Sequence, residues 1–202
     1  MEELHHLGNT EVKPDIITYN AVINAWAQSN LKQSAHHAEQ LLHELEQRYE
    51  EGEAALRPNT ITYSTVINAL AKSFEPGSAK KAESLLLQMQ KLYHEGNISS
   101  KPNVHTFNTV INACAWTKCE ADKKEAFRIA FSSFKQMISL EGIKPTEVTY
   151  ICLLNTIHYL VPLKDKERRF SLVKAVFEMC CKDSLVTNKI LSKVRSIVTE
   201  KQ

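Results

Sequence analysis

A twelve-residue phrase returns through this chain at a nearly fixed interval. That interval constrains the fold more than any single residue does. The clearest copy is Pro58-Asn59-Thr60-Ile61-Thr62-Tyr63-Ser64-Thr65-Val66-Ile67-Asn68-Ala69. A first copy runs from Pro14-Asp15 through Thr18-Tyr19-Asn20 to Asn24-Ala25, and a third from Pro102-Asn103 through Thr106-Phe107-Asn108 to Asn112-Ala113. A worn fourth runs from Pro145-Thr146 through Thr149-Tyr150 to Asn155. The prolines stand at 14, 58, 102 and 145, so the period is 44, 44 and then 43 residues. Self-similarity at such a period is the mark of a stacked repeat architecture, in which no unit buries its apolar face alone.

Each copy predicts a helix. Tyr19, Val22, Ile23, Trp26 and Ala27 fall at i, i+3, i+4, i+7 and i+8, which makes one apolar face. At 100° per residue, Ile17, Asn20, Asn24 and Gln28 form a separate stripe. The matching stripes are Ile61, Ser64, Asn68, Lys72 and His105, Asn108, Asn112, Trp116. Small residues lie between the faces (Ala21 and Ala25, Thr65 and Ala69, Thr109 and Ala113) and favour close helix approach. A second helix follows in every unit, expected over about 33–50, 78–95, 123–140 and 166–182. Apolar residues at 185, 186, 190, 191, 194, 197 and 198 predict a closing helix over about 185–199 that covers the open end of the stack.

Composition narrows the function classes. The chain has 202 residues, 43% hydrophobic and 24% charged, with only five Gly and six Pro, as in a folded, helix-rich protein. A net charge of +2 is too small for binding nucleic acid by charge alone, so any such role rests on a local face. Five cysteines without paired CxxC spacing make neither a zinc site nor a disulfide framework. No apolar run approaches the ~20 residues of a membrane span, and Met1–His6 has neither signal-peptide nor transit-peptide character. HExxH, GxxxxGK, GxGxxG and GxSxG are all absent. No cofactor, metal or catalysis is therefore expected.

The polar stripe holds the candidate functional residues. Asn24, Asn68, Asn112 and Asn155 recur at one place, and bonding between repeats is the expected role. Asn20, Ser64 and Asn108 recur four residues earlier, and their alternation is that of a variable reader on a fixed frame. Asp15, Asn59, Asn103 and Thr146 follow the prolines. All are helix-capping types, so cap and reader both stand open for them.

These residues resemble the pentatricopeptide repeat family. The matching elements are Thr-Tyr-Asn/Ser-x-Val-Ile-Asn-Ala in the first helix, Ala-x-x-Leu-Leu-x-x-Met in the second, and Gly-Ile-Lys-Pro-Thr at 142–146. The resemblance covers about residues 12–180 and is weakest in the fourth unit. It implies an all-α, right-handed α-solenoid of helical hairpins. It also implies single-stranded RNA as partner, read one base per repeat by two or three side chains. Carried over, the base-reading pairs are Asn20 with Asn59, Ser64 with Asn103, and Asn108 with Thr146. Ile17, Ile61, His105 and Val148 become wedges between bases. By the family pattern the core preference is pyrimidine-A-pyrimidine. Lys13, Arg57, Lys101 and Lys144, each directly before a repeat proline, are candidate phosphate contacts, as is Lys72.

The resemblance further implies a non-enzymatic module in mitochondria or plastids, acting in RNA processing, stability or translation. The rival is a protein-binding helical-repeat scaffold, and protein partners fit either reading. No membrane or small-molecule substrate is expected. The organisation expected is a remnant of an earlier repeat at 1–13, repeats at 14–59, 60–103 and 104–146, a degenerate repeat at 147–183 and a capping helix at 184–202. The chain reads as the C-terminal part of a longer protein. Its units exceed the family's length. The excess is placed between the helices and after the second helix in units one and two, and around Thr117–Asp122 in unit three. Ile151 stands where the fourth unit would carry a reader, so that unit is expected to be structural.

Overall fold

A computed structural model describes residues 13–199 apart from 30 and 32; among these there are helices, turns and short 3-10 segments, and no strand. The expected remnant at 1–13 lies, except for Lys13, outside the described residues. The first helices of the units are α1 (Ile16–Gln28), α3 (Thr60–Ser73), α5 (Val104–Ala115) and α7 (Glu147–Leu160). The second helices are α2 (Ser34–Glu50), α4 (Ser78–His94), α6 (Glu120–Ser139) and α8 (Lys166–Lys182). A last helix, α9 (Asn188–Thr199), packs on α7 and α8 and closes the stack.

The first helices pack directly on one another in the order α1, α3, α5, α7. Among the second helices, α4 and α6 approach over a shorter stretch, and α2 meets α4 through side chains such as Lys81 with Glu39 at 2.7 Å. A stack tight along one row and loose along the other curves toward the tight row. The first helices therefore line the inner face of an all-α solenoid.

The motif Pro-Asn-x-x-Thr explains why each first helix starts where it does. Asn59 Oδ1 accepts the amides of Ile61 and Thr62 at 2.9 and 3.1 Å, and Asn103 Oδ1 accepts that of Thr106 at 3.0 Å. Asp15 Oδ1 likewise accepts from Thr18 at 2.8 Å, which holds its carboxyl below the usual range. The threonine three residues on returns the bond. Thr62, Thr106 and Thr149 hydroxyls accept the amides of Asn59, Asn103 and Thr146. This is a reciprocal capping box with threonine in place of the usual acid.

Burial follows position in the stack. Val66 and Val110 are fully buried, whereas their counterpart Val22 is 43% exposed. Ala69 and Ala113 are buried; Ala21 and Ala25 are not. The expected apolar face of α1 is thus only partly covered, by Tyr19, Ile23 and Ala27. The reason is geometric: Val66 and Val110 each lie on a helix that has a first helix on both sides, and among the described residues α1 packs against one first helix only.

The motif tyrosines are staples. Tyr19 donates to Glu44 at 2.6 Å, Tyr63 to Glu46 at 2.7 Å, and Tyr150 to Asp183. Gln88 Nε2 also donates to Glu46, at 2.8 Å, so this carboxylate of α2 ties unit one to α3 and α4 of unit two. Burial outweighs those bonds and raises the Glu46 carboxyl above its ordinary value; the Tyr63 phenol is raised as well.

The extra residues after α2 and α4 form 3-10 turns, Ala54–Leu56 and Ile98–Ser100. Leu56 is fully buried and plugs the core, so the extra length is packed rather than looped out. In unit three the surplus goes into the helix instead. α6 begins at Glu120 and runs 20 residues, which leaves only Trp116–Cys119 between α5 and α6.

Candidate nucleic-acid interface

The stripe carried by the first helices is laid out along the inner row. At its N-terminal end stand Ile17, Ile61 and Val148, 73%, 64% and 53% exposed, with His105 exposed at the same register. Three of four equivalent positions thus carry exposed aliphatic side chains outside the core.

Three residues further into each helix the environment changes. Asn20 is half-buried, and Ser64 and Asn108 are buried. The amide oxygens of Asn20 and Asn108 are shielded from water and have no hydrogen-bond partner among the described residues. A shielded, unpaired amide oxygen costs about 1–3 kcal/mol, and natural structures seldom keep one without a use. Two of them at the same register of α1 and α5 set this row apart from ordinary helix polar positions.

Ser64 is not an orphan. Its hydroxyl lies 2.9 Å from that of Thr106, on the next first helix. Thr106 in turn donates to Asn103 Oδ1 at 3.2 Å while accepting the Asn103 amide at 3.3 Å. The two residues paired by sequence reasoning in unit two, Ser64 and Asn103, are therefore joined through one threonine. A hydroxyl has a single proton. When Thr106's proton goes to Asn103, Ser64 donates to Thr106. Ser64 then presents only lone pairs outward. Asn103 Oδ1 is filled by the Thr106 amide and hydroxyl, so its free groups are the Nδ2 protons.

The cap-or-reader alternative thus has a structural answer for the cap. Asn59 and Asn103 use their oxygens as caps and keep their Nδ2 donors. Thr146 lies 3.3 Å, hydroxyl to hydroxyl, from Thr149. Ile151 is half-buried and packs against the core.

Three of the four basic residues before the prolines are already engaged. Lys13 pairs with Glu53 at 2.8 Å. Arg57 sits over the Tyr49 ring and Lys101 over Tyr93, each 5.5 Å from the centroid. Lys144 lines a cleft with Pro145, Tyr150 and Lys182. Arg48 and Lys13 together hold the Glu53 carboxyl down to about 2. Lys72, on the inner stripe, donates to Gln28 of the preceding helix at 2.5 Å. Among the described residues, the inter-repeat bonds expected of the Asn24, Asn68, Asn112 and Asn155 row do not form. The one bond in that row is within a helix: Trp116 Nε1 donates to Asn112 at 3.0 Å, because an indole one turn on competes for the amide.

A sequence profile of the pentatricopeptide repeat domain matches residues 4–73 and 100–159, well over half the chain. The chain belongs to the pentatricopeptide repeat family. The family is one of helical-repeat proteins that bind RNA in general, typically as non-enzymatic scaffolds and often in organelles. No curated protein sequence matches this pentatricopeptide repeat chain. Among its described residues no helix is long and apolar enough to cross a membrane, and no three of His, Cys, Asp and Glu gather into a metal cage. Buried Cys152 has its thiol pushed up to about 12, and Cys114 is raised further by burial, so neither is a ready nucleophile.

Proposed function

We propose that this chain is a sequence-preferring, single-stranded RNA-binding module without catalytic activity, acting in organellar RNA processing, stability or translation. The base-reading pairs are Asn20 with Asn59, Ser64 with Asn103, and Asn108 with Thr146, with Ile17, Ile61, His105 and Val148 as wedges between bases. The repeat units that carry them are taken as 14–59, 60–103, 104–146 and 147–183. The observation that carries this reading is the pair of shielded, unpaired amide oxygens at Asn20 and Asn108. Each lies one turn beyond an exposed wedge position. A base edge would supply the missing partners.

Unit two supports a definite choice. Ser64 offers an acceptor and Asn103 offers donors. Adenine presents the complement, an amino donor beside a ring-nitrogen acceptor; cytosine presents it too, but on a smaller ring. Uracil presents a ring N–H where a donor already points. Adenine at the middle position follows, flanked by pyrimidines at the all-amide and amide–threonine pairs. Three bases at ~1–3 kcal/mol each give modest affinity.

The test is equilibrium binding of short RNAs that differ only at the middle base. Tightest binding to adenine is expected. Equal weak binding of all four RNAs, with a protein partner recovered on the inner face, would favour the scaffold reading instead.

A further inference from the structure

The inner stripe ends differently in the two halves of the chain. In units one and two it ends in Gln28 and Lys72, bonded to each other. In units three and four it ends in Trp116 and Tyr159, whose rings stack at 4.9 Å and 30°. Phe74, at the end of α3, meets the same indole edge-on at 6.1 Å. The three rings form a ladder across consecutive units, with Phe74 and Tyr159 both exposed. Lys118 lies 4.0 Å above the Phe74 centroid and Lys193 lies 5.2 Å from that of Tyr159.

Phe74 is held at a backbone cost. Its φ of 54° is left-handed, a conformation that suits glycine and is an outlier for a bulky side chain. The fold keeps an aromatic ring at a helix end where glycine is the usual residue. Nothing in the core needs it, since the ring is 42% exposed.

We propose that Phe74, Trp116 and Tyr159 form a stacking platform for nucleotides of the bound strand that no unit reads. This rests on the RNA-binding reading above and adds a sequence-independent contact to it. Three observations select the occupant. Trp116 and Tyr159 continue the same stripe as the base-reading positions, with Phe74 beside them, and Asn112 ties Trp116 to that stripe. Lysines accompany the rings, so a strand with π-faces and phosphates matches both halves of the surface. The fourth unit lacks a polar reader at Ile151, so a nucleotide passing it has no hydrogen-bonding pocket and can be held by stacking alone.

The test uses Trp116 as its own reporter. The chain has two tryptophans, and Trp26→Phe leaves only Trp116. Emission is followed while the protein is titrated with an RNA ending at the core triplet, and with the same RNA lengthened by two uridines or two adenines at the unit-four end. The expected result is quenching of Trp116 and about tenfold tighter binding on lengthening, the same for either base within a few fold. Tyr159→Leu and, separately, Phe74→Gly should abolish that gain while leaving the triplet preference intact. Glycine suits the backbone at 74, and thermal melts followed by circular dichroism confirm that both variants fold. No gain on lengthening, or a gain that survives both substitutions, overturns the platform. Quenching and gain without any triplet preference would uphold the platform and overturn the base-reading assignment.

Discussion

The hydroxyls of Ser64 and Thr106, 42 residues apart in sequence, meet at 2.9 Å and share a hydrogen bond between successive first helices. When Thr106 gives its own proton to Asn103, Ser64 donates to Thr106 and is left an acceptor for any ligand. Replacing Thr106 by Val removes the fixed partner and the return bond to the Asn103 amide. The expected loss is about 1–3 kcal/mol of stability. The Ser64 hydroxyl becomes free to turn, so discrimination between RNAs with A and U at the middle position should shrink. Urea denaturation and RNA binding on the same variant measure the two effects.

Asn59 carries two roles on two different atoms. Asn59→Ala removes the cap and should cost about 1 kcal/mol. Asn59→Asp keeps the capping oxygen but loses the Nδ2 donors. It should melt close to the parent while changing RNA preference at the first read base. Differential scanning calorimetry and binding assays on the pair separate cap from reader.

The same valine means different things along the stack. Val66→Ala deletes two buried carbon atoms between packed helices and should cost about 2 kcal/mol. Val22→Ala, at the equivalent but exposed position, should change stability by less than about 0.5 kcal/mol. Chemical denaturation of both variants checks the difference.

The period and the two helical faces made the stack legible in the sequence. Most second helices begin within a residue of where their apolar stripes place them, and the terminal stripe gives α9. Other features depend on contacts that no single stripe encodes. The fate of the extra residues hinges on whether one of them, Leu56, finds a hole in the core. The exposure of Val22 reflects the single first-helix neighbour that α1 has among the described residues, not its local pattern. Asn112 bonds within its own helix because Trp116 is one turn away, a competitor that only unit three carries. At the candidate site, the family resemblance pointed to Ser64 and Asn103 as a pair. The threonine joining them was visible only as a motif letter. Thr106 recurs with Thr18, Thr62 and Thr149 before each aromatic residue, and that recurrence was the available signal.

Acid should reveal two carboxylates of opposite sign. Glu53 has its folded-state value depressed to about 2 by Arg48 and Lys13. Its stabilising contribution is complete above the ordinary glutamate value and is lost as pH falls from about 4.5 toward 2. Glu53→Gln should therefore be the less stable protein at neutral pH, and the gap to the parent should close in acid. Glu46 is raised by burial, so its ionisation weakens the fold as pH climbs above the ordinary value. Glu46→Gln should gain on the parent between about pH 4.5 and neutrality. Urea midpoints at stepped pH measure both trends.

The central claim is that Ser64 and Asn103 together choose the middle base. The direct measurement is RNA binding by the double variant Ser64→Asn, Asn103→Asp beside the parent, with short RNAs that differ only at that base. Aspartate retains the cap on α5, and asparagine already stands at the Ser64 register in Asn20 and Asn108, so the variant should fold. Aspartate replaces the Nδ2 donors with acceptors, which suits a ring N–H. The account predicts that the preferred base moves from A to U. An unchanged preference, with both proteins equally folded, would contradict it and leave Asn103 as a cap alone.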